Sequence, residues 1–174
     1  KLLSAQCVAA AEVVSRVLDL DLDEESRELY HINKEQGRGV LITTGHLGNW
    51  ELLVFGFAAI HEPISYLARA LDNPLIDRMF SDIRAGFGSR QFYKSDSAKE
   101  VLKALKRGES VGVLPDVNVD LREGIFVPFF GNLACTTAGV ARLAIHANAL
   151  ILPMFAVWDE SRKKYIVHNG HPIE

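Results

Sequence analysis

Val40-Leu41-Ile42-Thr43-Thr44-Gly45-His46-Leu47-Gly48-Asn49-Trp50-Glu51 is the most informative stretch of the chain. Its first five residues are aliphatic or β-branched and uncharged, which reads as a short buried strand ending at Gly45. A helix that starts near Gly48 or Asn49, with Asn49 as its N-cap, leaves His46 on the strand-end loop and puts Glu51 in the first helical turn. On one continuous helix, residues five apart stand about 140° from each other. Across a loop and a helix start, the two side chains can meet. A carboxylate beside an imidazole fixes its tautomer and stabilises its protonated form, which suits the ring to act as a base toward a hydroxyl. The helix N-terminus adds backbone donors for an anion or oxyanion. An arbitrary His and Glu at this spacing is more often a loop histidine and a solvated acid. Position carries the argument here, because ligands of open α/β sheets bind beyond the carboxyl ends of the strands.

The same cadence continues outward. Ala5, Val8, Ala9, Val13, Val17 and Leu20 recur at helical spacing, so a helix is expected over the first eighteen or so residues. Asp23-Glu24-Glu25-Ser26 opens a second helix that runs to about Gln36 and stops at Gly37 and Gly39. Downstream the expected order is strand Ile64–Ala68, helix Pro74–Ala85, short strand Arg90–Tyr93, helix Ser97–Arg107 and strand Ser110–Leu114. Pro115 to Thr136 reads as a long loop carrying a short strand. Thr136 and Thr137 then cap a helix to about His146, and Leu150–Trp158 pairs antiparallel with Tyr165–His168. Alternation of this kind predicts an α/β fold, a mainly parallel central sheet with helices on both faces.

With 174 residues, 48% hydrophobic and 24% charged, the chain has the size and composition of one globular domain. A net charge of −3 supplies no global cationic field, which argues against a nucleic-acid binder. Cys7 and Cys135 have no C-x-x-C pairing, so neither a disulfide framework nor a zinc knuckle is expected, and a reducing compartment fits. No metal site is expected. No uncharged stretch is uniformly apolar over a membrane-spanning length. The sequence begins at Lys1 and stops at Glu174 inside a strand pair, so it reads as a fragment of a longer chain.

Three further patches fall at element ends. Arg69, before Asp72-Asn73-Pro74, and Arg84, before Gly86-Phe87-Gly88, are each able to clamp a phosphate or carboxylate. Asp116-Val117-Asn118-Val119-Asp120 follows the strand Ser110–Leu114; it opens like a calcium loop but lacks that loop's glycine and terminal glutamate. The apolar run Ile125-Phe126-Val127-Pro128-Phe129-Phe130 reads equally as a buried strand, an acyl-chain wall or a membrane-facing loop. Nucleophile-elbow, P-loop, dinucleotide-binding and H-E-x-x-H motifs are missing, which weighs against the serine hydrolase, NTPase, dehydrogenase and zincin classes.

Taken in order, Gly39-Val40-Leu41-Ile42, Gly45-His46-Leu47-Gly48-Asn49-Trp50-Glu51, Arg69 with Asp72-Asn73-Pro74, Arg107-Gly108-Glu109-Ser110-Val111-Gly112, Asp116 with Asn118, and Val127-Pro128-Phe129-Phe130-Gly131 with Thr136-Thr137 resemble the bacterial lipid A biosynthesis (lauroyl/myristoyl) acyltransferase family. That family lies within the H-x4-D/E glycerolipid acyltransferase superfamily. The resemblance implies a single acyltransferase domain over residues 1–174 with a glycerolipid-acyltransferase-like fold. It implies transfer of a fatty acyl chain from acyl carrier protein, or coenzyme A, to a hydroxyl of a membrane glycolipid in lipid A and lipopolysaccharide biosynthesis. No cofactor beyond the thioester co-substrate is implied. It casts His46 as general base and Glu51 as its charge partner, adds Arg84 and Asp116 as further catalytic residues, and suggests Asn49, Arg69, Asn73 and Asn118 as substrate-contacting residues. The partners implied are acyl carrier protein, a glycolipid acceptor and the membrane surface, at the cytoplasmic face of a bacterial inner membrane. Lys99, Lys103, Lys106 and Arg107 read as a solvated helix face or as a basic patch for an acidic carrier. Lysophospholipid and phosphatidylinositol mannoside acyltransferases share much of the pattern. A thioester or lipid hydrolase and a non-catalytic lipid-binding domain remain as other classes.

Overall fold

In a computed structural model of the chain, the residues described are 16, 18–19, 22, 24–93, 97–122 and 124–174. The helix expected at the N-terminus lies almost wholly outside them. Leu18–Asp19 forms a two-residue strand, β1. The remaining order is α1 (Glu24–Glu35), β2 (Val40–Thr43), α2 (Trp50–Ile60), β3 (Ile64–Ala68), α3 (Pro74–Gly86), β4 (Gln91–Tyr93), α4 (Ser97–Lys106), β5 (Ser110–Val113), β6 (Gly124–Phe129), β7 (Asn132–Thr137), α5 (Gly139–Ala147), β8 (Leu150–Asp159) and β9 (Lys164–Asn169).

Seven strands form one sheet in the order β1-β9-β8-β2-β5-β3-β4. β8, β2, β5, β3 and β4 are mutually parallel, and β9 runs antiparallel to β8. The fold is therefore α/β with a mainly parallel sheet. β2 sits between β5 and β8, and its residues divide by the period of two that a strand imposes. Val40 and Ile42 join a core with Leu53, Phe57, Leu150, Leu152 and Met154. Leu41 points to the other face, into a second core with Val101, Leu105 and Val111. Both faces of the sheet are covered, which is why Val40, Leu41 and Ile42 form an apolar run without alternation and all four residues of β5 are buried.

The segment after β5 differs from the sequence-based expectation. Instead of a loop with one short strand, it holds a hairpin, β6–β7, paired from Gly124↔Thr137 to Phe129↔Asn132. The turn uses Phe130 and Gly131, both at positive φ (47° and 81°). A phenylalanine in that position does not announce a tight turn, which is why the second strand is hidden in the sequence. The hairpin is tied back by Val119 N–H donating to the Cys135 carbonyl at 3.2 Å and the Thr136 hydroxyl donating to the Pro115 carbonyl at 3.3 Å. Among the described residues no helix is long and apolar enough to cross a membrane.

Candidate active site

The centre of the site follows from strand register. Thr43 of β2 pairs with Val113 of β5, and the next three residues of each strand lead to His46 and Asp116. Two side chains 70 positions apart are thus delivered to the same point at the carboxyl edge of the sheet. The His46 ring Nδ1 lies 2.9 Å from Asp116 Oδ1, while the His46 backbone N–H donates to Asp116 Oδ2 at 2.6 Å. Both carboxylate oxygens grip one residue, so position and ring orientation are fixed together. Partial burial opposes ionisation of Asp116, but the His46 backbone N–H and ring outweigh it and hold the carboxyl below its ordinary value. Gly45 is required for this approach: a Cβ there would stand 2.8 Å from Asp116 Oδ2. With Nδ1 engaged, Nε2 of His46 has no hydrogen-bond partner among the described residues.

Glu51 is not the partner of His46 in this structure. It occupies the first turn of α2, where it receives two hydrogen bonds from Arg84 of α3: one from Nε to Oε1 at 2.9 Å, the second from the other guanidinium nitrogen to Oε2. Arg84 is only 7% exposed. The Tyr66 hydroxyl of β3 accepts a further hydrogen bond from it at 3.3 Å. Its guanidinium lies over the rings of Tyr66, Phe80 and Trp50 at 4.7, 5.3 and 5.8 Å. Burial works against the charge, and the hydrogen bonds that Arg84 donates to Glu51 and Tyr66 more than restore it, so the Arg84 pKa is raised. Trp50 also meets the His46 ring edge-on at 6.4 Å. The hydrogen-bonded His46–Asp116 pair and the Glu51–Arg84 ion pair therefore flank one indole.

α2 begins where the sequence places it. The Asn49 side chain accepts from Leu52 N–H at 3.0 Å, and Gly48 turns the chain at φ 73°, where a Cβ would collide with the Ala156 carbonyl oxygen. The side-chain oxygen of Asn73 likewise caps α3, accepting from the N–H groups of Leu75 and Ile76. Both amide oxygens are thus used in helix capping. Arg69 is exposed and paired with Asp72 at 2.9 Å; it and Asn118 each line one of two cavities.

The first cavity, of about 670 Å³, runs over His46 and Trp50 to the Glu51–Arg84 pair and is walled by Ile42, Leu53 and Ile64. The second, of about 750 Å³, lies between Asp116, Leu47 and the hairpin residues Val127 and Phe129. Both are mostly apolar in lining and sized for a small lipid. Thr44 and Val117 line both, so the cavities meet beside the His46–Asp116 pair. Thr44 is 6% exposed and its hydroxyl has no hydrogen-bond partner among the described residues. Sequence reasoning missed Thr44 and Tyr66; an unpaired hydroxyl at a strand end shows only once the fold is built. Among the described residues no cluster of three or more His, Cys, Asp or Glu side chains gathers to hold a metal.

Residues 9–172 match the model of the family described as bacterial lipid A biosynthesis acyltransferase. The chain belongs to that family. It is 26% identical over 141 residues to a lipid A biosynthesis acyltransferase of Haemophilus influenzae, covering 79% of this chain and 44% of that protein. It is 35% identical over 119 residues to the lipid A biosynthesis lauroyltransferase of Escherichia coli, covering 68% and 38%. It is also 28% identical over 152 residues to a phosphatidylinositol mannoside acyltransferase of Mycobacterium tuberculosis, covering 84% and 48%. The chain spans less than half the length of these relatives.

Proposed function

We propose that this chain carries the transfer centre of an acyltransferase that moves a fatty acyl group from a thioester, on acyl carrier protein or coenzyme A, to a hydroxyl of a glycolipid of the lipid A precursor class. The observation that carries the reading is the His46–Asp116 pair at the junction of two apolar cavities. His46 Nε2 takes the proton of the acceptor hydroxyl as its oxygen attacks the thioester carbonyl, and Asp116 holds the tautomer and balances the imidazolium. The oxyanion is met by the Thr44 hydroxyl and the positive end of α2, while Arg84 stays with Glu51 and fixes the floor of the cavity. As the tetrahedral intermediate collapses, the thiolate leaves and His46 returns the proton to it. The balance is one ester formed and one thioester broken. The relationship to a phosphatidylinositol mannoside acyltransferase supports a mannosylated phospholipid as the second acceptor class.

The test is mass spectrometry of acyl transfer by the full-length protein, with acyl-carrier-protein thioester as donor and a lipid A precursor, a phosphatidylinositol mannoside or a lysophospholipid as acceptor. One acyl mass gained by the lipid A precursor and lost in His46→Ala is the expected result. Gain on another acceptor alone moves the substrate and keeps the chemistry. Release of free fatty acid with no acylated product overturns the transfer reading in favour of hydrolysis.

A further inference from the structure

Behind the Glu51–Arg84 pair lies a buried polar relay that the acyl-transfer chemistry does not use. Tyr66 of β3 is 3% exposed and lines the first cavity. Strand register sets Gln91 of β4 directly beside it. The Tyr66 hydroxyl donates to Gln91 Oε1 at 3.2 Å, and the Ser81 hydroxyl of α3 donates to the same oxygen at 3.4 Å. A phenol has one proton to give. With that proton committed to Gln91, the Tyr66 oxygen is left as an acceptor for Arg84, which donates to it at 3.3 Å. Burial raises the pKa of Tyr66, against the hydrogen bond from Arg84, so the hydroxyl keeps its proton at neutral pH.

Two details set this relay apart from ordinary packing. A guanidinium carries five N–H groups. Glu51 accepts from two and Tyr66 from a third. The other two, one on each terminal nitrogen, have no acceptor among the described residues, although Arg84 lines the first cavity. They suit an oxygen of a lipid, carbonyl or phosphate. The second detail is Gln91 Nε2, buried with no hydrogen-bond partner among the described residues. A buried unpaired amide nitrogen costs free energy, and an apolar pair of the same shape at positions 66 and 91 would avoid that cost.

We propose that Tyr66 is a positioning residue: with its hydroxyl fixed by Gln91, it holds the Arg84 guanidinium at the angle from which the two unpaired N–H groups meet an oxygen of the lipid substrate in the first cavity. Glu51 anchors Nε and one terminal nitrogen, and Tyr66 anchors the other. Of the three rings against the guanidinium, that of Tyr66 is the nearest, at 4.7 Å. The assignment rests on the reading of the site as one that acts on lipids.

The experiment uses the full-length protein. KM and kcat are measured for the acyl-carrier-protein thioester and for the lipid A precursor in turn, and the Kd of each alone is measured by calorimetry, with a thioether analogue in place of the thioester. Tyr66→Phe keeps the ring and removes the acceptor. The KM and Kd of one substrate, the one that occupies the first cavity, should rise by about three- to tenfold, beyond any fall in kcat. Gln91→Met strands the buried hydroxyl proton, so it should raise the same KM and lower the denaturation midpoint. In Tyr66→Phe/Gln91→Met both partners are apolar, so the midpoint should recover from that of Gln91→Met while KM stays as high as in Tyr66→Phe. A merely structural role would bring KM back together with stability, and that result overturns the proposal. So does Tyr66→Phe with KM and Kd unchanged for both substrates, or with a fall in kcat alone that tracks the loss of folded protein. Binding is read without turnover: a wild type that binds lipid and transfers no acyl group strikes the transfer reading, whereas binding unchanged in the variants strikes the role of Tyr66 alone.

Discussion

Asp116 reaches His46 by strand register and not by closeness in sequence. Because it accepts from both the backbone and the ring of His46, Asp116→Asn keeps the shape and loses the charge that orders the imidazole. Acyl transfer should fall by about 10²–10⁴-fold with little change in KM, as measured by steady-state kinetics. The same carboxyl predicts a pH effect on stability. Its pKa is lowered in the fold from an ordinary 3.8, so its contribution is present above that value and is lost as pH falls through the folded one. The denaturation midpoint of the wild type should therefore exceed that of Asp116→Asn at neutral pH, and the gap should narrow below about pH 4. Glu51 and Arg84 behave differently, as a pair whose arginine is buried and whose carboxylate is partly buried. Glu51→Leu leaves the Arg84 guanidinium without its carboxylate and should cost about 3–5 kcal/mol, while Glu51→Leu/Arg84→Met should recover much of it in urea denaturation. H-x4-E spacing marks His46 and Glu51, and the structure brings Arg84 and Asp116 beside them, whereas Asn49 and Asn73 cap helices and line neither cavity. The spacing does not report which carboxylate the ring takes, because that choice is made by the Thr43↔Val113 register.

At the level of elements, the turn from β2 into α2 aims His46, and its residues divide the work. Gly48 supplies a φ of 73° and close passage beside the Ala156 carbonyl; Asn49 supplies the cap. Gly48→Ala meets both a strained backbone and a collision, so it should destabilise by about 3 kcal/mol and lower transfer through the displaced His46. Asn49→Ala removes one cap and should cost about 1 kcal/mol. Thermal denaturation beside the transfer assay separates the two. Most elements were legible because their signals are local: Asn49 and Asn73 before helices, Gly37 after one, and apolar runs such as Ile64–Ala68. The hairpin was not, because its two strands are held by cross-strand pairing and turn at Phe130-Gly131. Its solvent exposure was equally hidden, since an uncharged run of phenylalanines has the same composition in a core and on a surface.

Across the whole molecule, one sheet separates two cores that share no residue. Ile64 belongs to the core of Phe57, Leu53 and Met154, and Leu105 to that of Val101, Val111 and Leu41. Each is completely or almost completely buried. Ile64→Val should cost about 0.5–1.5 kcal/mol and Leu105→Ala about 2–5 kcal/mol by the methyl groups removed and the space left. Because the sites have no common partner, the double variant should lose the sum to within about 0.5 kcal/mol. Adjacent residues of β2 nonetheless feed both cores, Val40 and Ile42 one way and Leu41 the other, so neither core can melt while the strand that carries His46 stays in place. Denaturant unfolding followed by far-ultraviolet circular dichroism and by tryptophan emission should therefore show one coincident transition in all three variants. Two separate transitions, or a coupling well above about 0.5 kcal/mol, would mean that the cores do not meet in the sheet alone. Coincidence would place the stability of the site in β2 itself, the strand that carries His46.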